Sequence, residues 1–213
     1  MRAWSDPSIK RIFRLPLGSE RSFLDLLHLL KFDEHLIDHQ ATTIVDTLSA
    51  TQSEQEIERF LTGNDPQVRL SNGNRTCENL NGNWHCVFGT LDYSSDIHRL
   101  RLKVEKGTTD ILMGICSRLR PPTGPFFYNK PSTCGWFTHR HVISNGQGSS
   151  IGWPQVNEND ILELTINCNE RLLSVVNETS RAKNSIQVNV YQSPFPWCLL
   201  LVFRPIRSRV SLI

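Results

Sequence analysis

The chain has 213 residues, 38% of them apolar, enough for one domain of ordinary size with a substantial core plus an appendage. Its 23 lysines and arginines against 21 aspartates and glutamates leave a formal charge of +2. No basic stripe interleaved with aromatics appears, which argues against nucleic acid as a partner. No apolar run approaches the ~20 residues of a membrane-crossing helix, so no membrane role is expected.

Residues 1–18 begin Met1-Arg2-Ala3-Trp4-Ser5-Asp6-Pro7, carry no apolar signal segment, and read as a flexible tail. That start points to the cytoplasm, where the six cysteines are expected reduced; their even number also permits a disulfide framework. Residues 19–63 read as a helical segment. Phe23, Leu26, Leu27, Leu30, Ile37, Ala41, Ile44, Val45 and Leu48 share one face at ~100° per residue. Phe23, Leu30, Ile37 and Ile44 are also seven apart, so a short coiled coil giving a weak homo-oligomer stands beside a packed hairpin. Asp33, Gln40 and Thr47 weaken the coiled-coil seam. Ser53 and Glu56 form a capping-box pattern opening a helix that is expected to stop at Gly63. Asn64-Asp65-Pro66 then makes a turn.

From residue 67 the pattern becomes one of short strands and turns. Residues 84–88 form the first expected strand. In residues 98–105, Leu100, Leu102 and Val104 alternate with Arg99, Arg101, Lys103 and Glu105, the period-two signature of a strand with one wet face. Residues 111–116 follow after a turn at Lys106-Gly107. A long loop, 117–133, contains four of the eleven prolines. Further strands are expected at 134–137, 142–144, 160–168, 172–177, 186–190, 199–203 and 209–212. Short strands at regular spacing, with no βαβ rhythm, predict an all-β antiparallel sandwich with a short N-terminal helical segment.

The order of these features resembles the SPRY domain, the sandwich at the C-terminus of butyrophilins and many tripartite-motif proteins. The resemblance rests on the alternating strand 98–105, Ile111-Leu112-Met113-Gly114-Ile115-Cys116, the Gly135-Trp136 step, Asp160 before its strand, and Pro194-Phe195-Pro196-Trp197 feeding the last long apolar strand. It covers about residues 68–213, and the expected SPRY-like domain is 67–213. The Gly-rich stretch is short, and Asn159-Asp160-Ile161-Leu162 lacks both glycines of the family's usual step, so the chain resembles a divergent member. The resemblance implies a non-enzymatic module that binds a protein or peptide through loops at one edge of the sandwich; no cofactor is expected, and the N-terminal sequence makes the expected setting intracellular. No cysteine precedes Cys77, so paired zinc ligands of the RING kind, and with them ubiquitin-ligase activity, are not expected.

The physical reading of the same residues agrees. Gly114 and Gly135 permit a close backbone approach, Trp84, Trp136 and Trp197 are the candidate large core rings, and Asp160 suits a turn where it accepts backbone hydrogen bonds. The long loop carries Arg118, Arg120, Phe126, Phe127 and Tyr128 among prolines, residue types enriched at binding hot spots on a segment of reduced freedom. The expected partner-binding surface is Arg120, Phe127 and Tyr128, completed by Arg140 and Trp153 from neighbouring loops. Phe126 and Phe127 have a second reading, in which they fold back over the sandwich edge.

Two other functions stay open. A lectin-like sandwich binding carbohydrate would present stacking rings and acidic or amide groups on a sheet face. A cysteine hydrolase would draw on Cys134, His139 or His141, and Asp160, although no nucleophile motif surrounds Cys134. For metal, His28, His35 and His39 share a helical face, and His139 and His141 share a strand face near Cys134. Neither set has a second half, and no metal site is expected.

Overall fold

A computed structural model describes residues 57–213 apart from 64, 108, 125 and 151. The expected tail, the apolar helical stripe, the coiled-coil alternative and His28, His35 and His39 lie outside the described residues.

Among the described residues, fourteen strands form two seven-stranded antiparallel sheets. In chain order they are β1 (Phe60–Leu61), β2 (Val68–Ser71), β3 (Thr76–Asn79), β4 (His85–Gly89), β5 (Ile97–Lys106), β6 (Ile111–Ser117), β7 (Thr133–Phe137), β8 (Val142–Ser144), β9 (Gln147–Ser149), β10 (Ile161–Asn167), β11 (Leu172–Asn177), β12 (Lys183–Gln187), β13 (Trp197–Phe203) and β14 (Arg209–Leu212). The first sheet runs β1-β4-β13-β6-β7-β8-β9 and the second β12-β11-β10-β5-β14-β3-β2.

The expected helix ending at Gly63 is corrected by β1. Phe60 and Leu61 pair with Gly89 and Phe88, and Phe60 is fully buried. β1 therefore lies within the compact β unit. The physical reason is tertiary: the buried Glu58 carboxylate accepts hydrogen bonds from the Thr90 and Leu91 backbone amides and the Tyr93 hydroxyl, partners 32–35 residues away. Those bonds hold the segment extended against β4.

The main core lies between the sheets. Leu102 and Val104 of β5, Leu162, Leu164 and Ile166 of β10, and Leu173 and Val175 of β11 meet Met113 and Ile115 of β6, Trp136 of β7, and Trp197, Leu199 and Leu201 of β13. On the other face of β5, Arg99 and Arg101 are exposed, as the alternation requires. Arg101 reaches Glu178 at 2.7 Å and Arg209 pairs with Glu105 across that wet face. The first sheet differs, because it is apolar on both faces. Its outer face carries a second cluster of Leu112, Cys116, Phe137, Ile143, Cys198, Leu200 and Val202, with Trp84, Cys86, Phe88, Phe127 and Tyr128 half-buried against it. Every residue of β6 and β13 is buried as a result, and residues 111–116 of β6 and all of β13 read as unbroken apolar runs rather than alternations.

Gly114 and Gly135 face each other across β6 and β7. A Cβ on Gly114 would fall 2.0 Å from the Cys134 carbonyl oxygen, and one on Gly135 2.5 Å from that of Met113. Asp160 precedes β10 and accepts from the Asn157 amide at 2.9 Å and the Asn177 side-chain amide at 2.8 Å.

Candidate interaction surface

The segment 118–132 connects β6 to β7 and is fastened along its length. At its root Arg118 donates to Asp92 at 2.7 Å and to the carbonyls of Gly89 and Leu91, and its amide bonds Pro196 O at 2.8 Å. Arg118, which composition alone marks as a contact residue, is thus an anchor. Further on, Ser193 Oγ donates to Ser132 O at 3.0 Å. Gly146, at φ 77°, lies so near the loop that a Cβ there would stand 2.6 Å from Lys130 O, which is why that turn takes glycine.

Arg120 is exposed, and its Nη1 donates to Tyr191 O at 3.1 Å. It lines a partly open cleft of about 250 Å³ with Pro121, Thr123, Lys130, Pro131, Ser132 and Gln192. The lining holds two cations and no carboxylate, and neither Arg120 nor Lys130 forms an ion pair among the described residues. Beside Arg120 and Gln192 in the chain stand two exposed apolar side chains, Leu119 at 67% and Tyr191 at 87% exposure. The volume suits one peptide side chain better than a cofactor or drug-sized molecule, which needs ~300–1,000 Å³.

The other expected site residues do not gather there. Phe127 and Tyr128 lie in a single 3-10 turn, Phe127–Asn129, entered through Phe126 at φ 62°. Both are half-buried against the second cluster, on the outer face of the first sheet. Tyr128 packs 5.2 Å from Trp84 and 5.3 Å from Phe137, ring centroid to centroid. Phe126 is the open ring of the loop, 53% exposed. Arg140 is exposed at φ 74° in the turn after β7. That turn follows Phe137, whereas the long loop enters β7 at Thr133, so Arg140 and the cleft lie at opposite ends of the strand, roughly 15 Å apart at ~3.3 Å per residue.

Trp153 is corrected from surface to core. It is 3% exposed, its ring stands 6.2 Å from Trp136, and its Nε1 donates to Phe137 O at 3.1 Å. Burying the indole removes a large apolar area from water while its one donor finds a carbonyl, and that combination outweighs its place between Gly152 and Pro154. Gln192 and Lys130 were missed by sequence reasoning. Lys130 sits in the long loop and was legible as a cation beside prolines; Gln192 carries no local signal.

The nucleophile arrangement is not assembled. Cys134 is buried, facing the main core; Asn145 N donates to its sulfur at 3.3 Å, and burial pushes its thiol up to about 11. His139 and His141 lie past the opposite end of β7. His139 Nδ1 accepts the Asp110 amide at 3.2 Å, and His141 Nε2 lies 3.1 Å from Ser150 Oγ. Burial holds the His139 imidazole below its ordinary value, with Asp110 opposing. Asp160 is committed to Asn157 and Asn177. Among the described residues no three His, Cys, Asp or Glu side chains are grouped to hold a metal. The rings on the outer face of the first sheet pack edge-on or tilted against one another rather than lying open for a sugar to stack.

No family model matches the chain, and no curated protein matches it in sequence. Solved structures similar to it include the SPRY domain of human HERC1, with a TM-score of 0.60 at 11% identity over 72% of this chain and 96% of that one. The TRIM65 PSpry domain gives 0.57 at 12% identity over 73% of this chain and 88% of that one. Stonustoxin gives 0.55 at 11% identity over 70% of this chain and 26% of that one. Two sheets in this strand order, carried at so little identity, make the likeness one of fold: the chain has the SPRY β-sandwich fold.

Proposed function

We propose that the chain is a non-enzymatic protein-interaction module that holds an acidic peptide segment of a partner protein in the Arg120–Lys130 cleft. The observation that carries this reading is the pairing of two cations lacking a carboxylate neighbour on the walls of a side-chain-sized cleft. A partner carboxylate supplies the missing charge, and a guanidinium binds it through two parallel hydrogen bonds. The loop's fastenings at Arg118, Ser132 and Gly146 lower the ordering cost of binding. Leu119 and Tyr191 offer apolar contact beside the charges.

The test is selection of a displayed random-peptide library against the full chain. Enriched peptides are expected to share an aspartate, glutamate or terminal carboxylate at one position, and to weaken at least tenfold with Arg120→Glu/Lys130→Glu at an unchanged melting temperature. Peptides that bind the double variant as tightly as the parent, or that show no acidic position, overturn the proposal.

A further inference from the structure

We propose that Cys116 and Cys198 are a redox pair, a dithiol that closes to a cross-strand disulfide between β6 and β13 on reaction with a low-molecular-weight disulfide such as oxidised glutathione. The two residues stand directly opposite each other in the β6–β13 register. Both side chains belong to the cluster on the outer face of the first sheet, and their sulfurs lie 3.6 Å apart. Opposed residues in antiparallel strands have Cα atoms about 4.5–5.5 Å apart, and disulfides span Cα separations of about 4.4–6.8 Å, so closure needs side-chain rotation and no strand movement. Two of the other thiols are differently engaged: Cys77 donates to Val210 O at 3.5 Å, and Cys134 bonds Asn145.

Exchange begins with a thiolate. Cys198 is the attacking sulfur: its hydrogen-bond contact with the Cys116 sulfur and the positive field of the Arg118 guanidinium hold its thiol below the ordinary value. The same contact, together with burial, pushes Cys116 up. Cys198 displaces one glutathione from oxidised glutathione and forms a mixed disulfide. Cys116 then displaces the second glutathione, closing the Cys116–Cys198 bond. Two thiols give up two electrons and two protons, and two reduced glutathione molecules carry them away. The bond would fasten β6 to β13 beside Arg118 and Pro196, at the root of the long loop. The pair stands independently of the peptide cleft.

Both thiols are buried, so the full chain is exposed to defined mixtures of reduced and oxidised glutathione twice, once folded and once during refolding from urea. Remaining thiols are then alkylated and the chain is digested without reductant. The expected product, under either condition, is a linked peptide pair carrying Cys116 and Cys198, two hydrogen atoms lighter than the separate peptides and released by dithiothreitol. The oxidised chain should also melt at a higher temperature than the reduced one. Full alkylation of Cys116 and Cys198 under both conditions, or preferential linkage of either to Cys86, overturns the proposal.

Discussion

Replacing Glu58 with alanine should cost the sandwich about 3–5 kcal/mol. The carboxylate accepts from the Thr90 amide at 2.6 Å, Thr90 Oγ1 at 3.0 Å, the Arg59 amide at 3.1 Å, the Leu91 amide at 3.2 Å, and the Tyr93 hydroxyl. The Thr90 and Arg59 amides have a second acceptor, in Arg59 O and Thr90 Oγ1. For the Leu91 amide and the buried Tyr93 hydroxyl, Glu58 is the acceptor the structure provides. Two donors stranded at about 1–3 kcal/mol each, together with the lost charge-assisted bonds, give the stated range. At about 2–4 °C per kcal/mol for a domain of this size, the melting temperature should fall by about 10 °C, read by tryptophan fluorescence during heating. Glu58→Gln keeps an oxygen for the amides and should lose less. Gly89 makes the prediction sharper: a Cβ there would meet the three terminal Glu58 carboxylate atoms at 2.7–2.8 Å. Gly89→Ala should therefore destabilise the parent and cost little in the Glu58→Ala background, a non-additivity expected of touching residues. A melting temperature for Glu58→Ala within about 1 °C of the parent, or equal Gly89→Ala costs in both backgrounds, would refute the reasoning.

Gly114→Ala should leave no soluble folded protein, because its Cβ would lie 2.0 Å from a backbone oxygen, beyond the usual ~1–3 kcal/mol of overpacking; a native near-ultraviolet spectrum would count against it. Trp153→Ala should cost about 3–5 kcal/mol in urea unfolding while leaving peptide affinity of the folded fraction unchanged. A thiol probe at neutral pH should label Cys134 far more slowly in the folded than in the denatured chain, since burial holds it at about 11; equal rates would contradict its burial. His139 is held below its unfolded value, so the unfolded chain takes up the proton first, and its contribution to stability should fall as pH drops through and below ~6.5. His139→Gln should flatten that part of the stability–pH curve.

Where one face of a strand is wet, the sequence is easily read. Arg99, Arg101 and Lys103 alternate with Leu100, Leu102 and Val104, and β5 spans the residues that pattern marks. The runs at β6 and β13 are equally legible for the opposite reason, since both faces are covered and β6 meets a polar residue only at its last position, Ser117. Phe60 and Leu61 continue a helical spacing behind a capping-box pattern, and distant partners turn them into a strand: Gly89 and Phe88 in the ladder, Asn74 O at the Phe60 amide, and residues 90–93 around the neighbouring Glu58. Trp153, between Gly152 and Pro154, looks like a loop residue because the acceptor of its indole, Phe137 O, is 16 residues away. The site suffers most from this blindness to distance. Arg120 was marked by its own composition, but its neighbour Gln192 arrives from a turn 72 residues on, and Arg140 is removed by the direction of β7, which no local pattern records.

The strand order has a consequence for synthesis. β13 lies between β4 and β6, and β14 between β3 and β5. Until residues 197–212 have left the ribosome, each sheet exists as two unjoined halves with raw edges facing the gap. Neither half can recruit its partner by local contacts, so closure of both sheets is a late, long-range event.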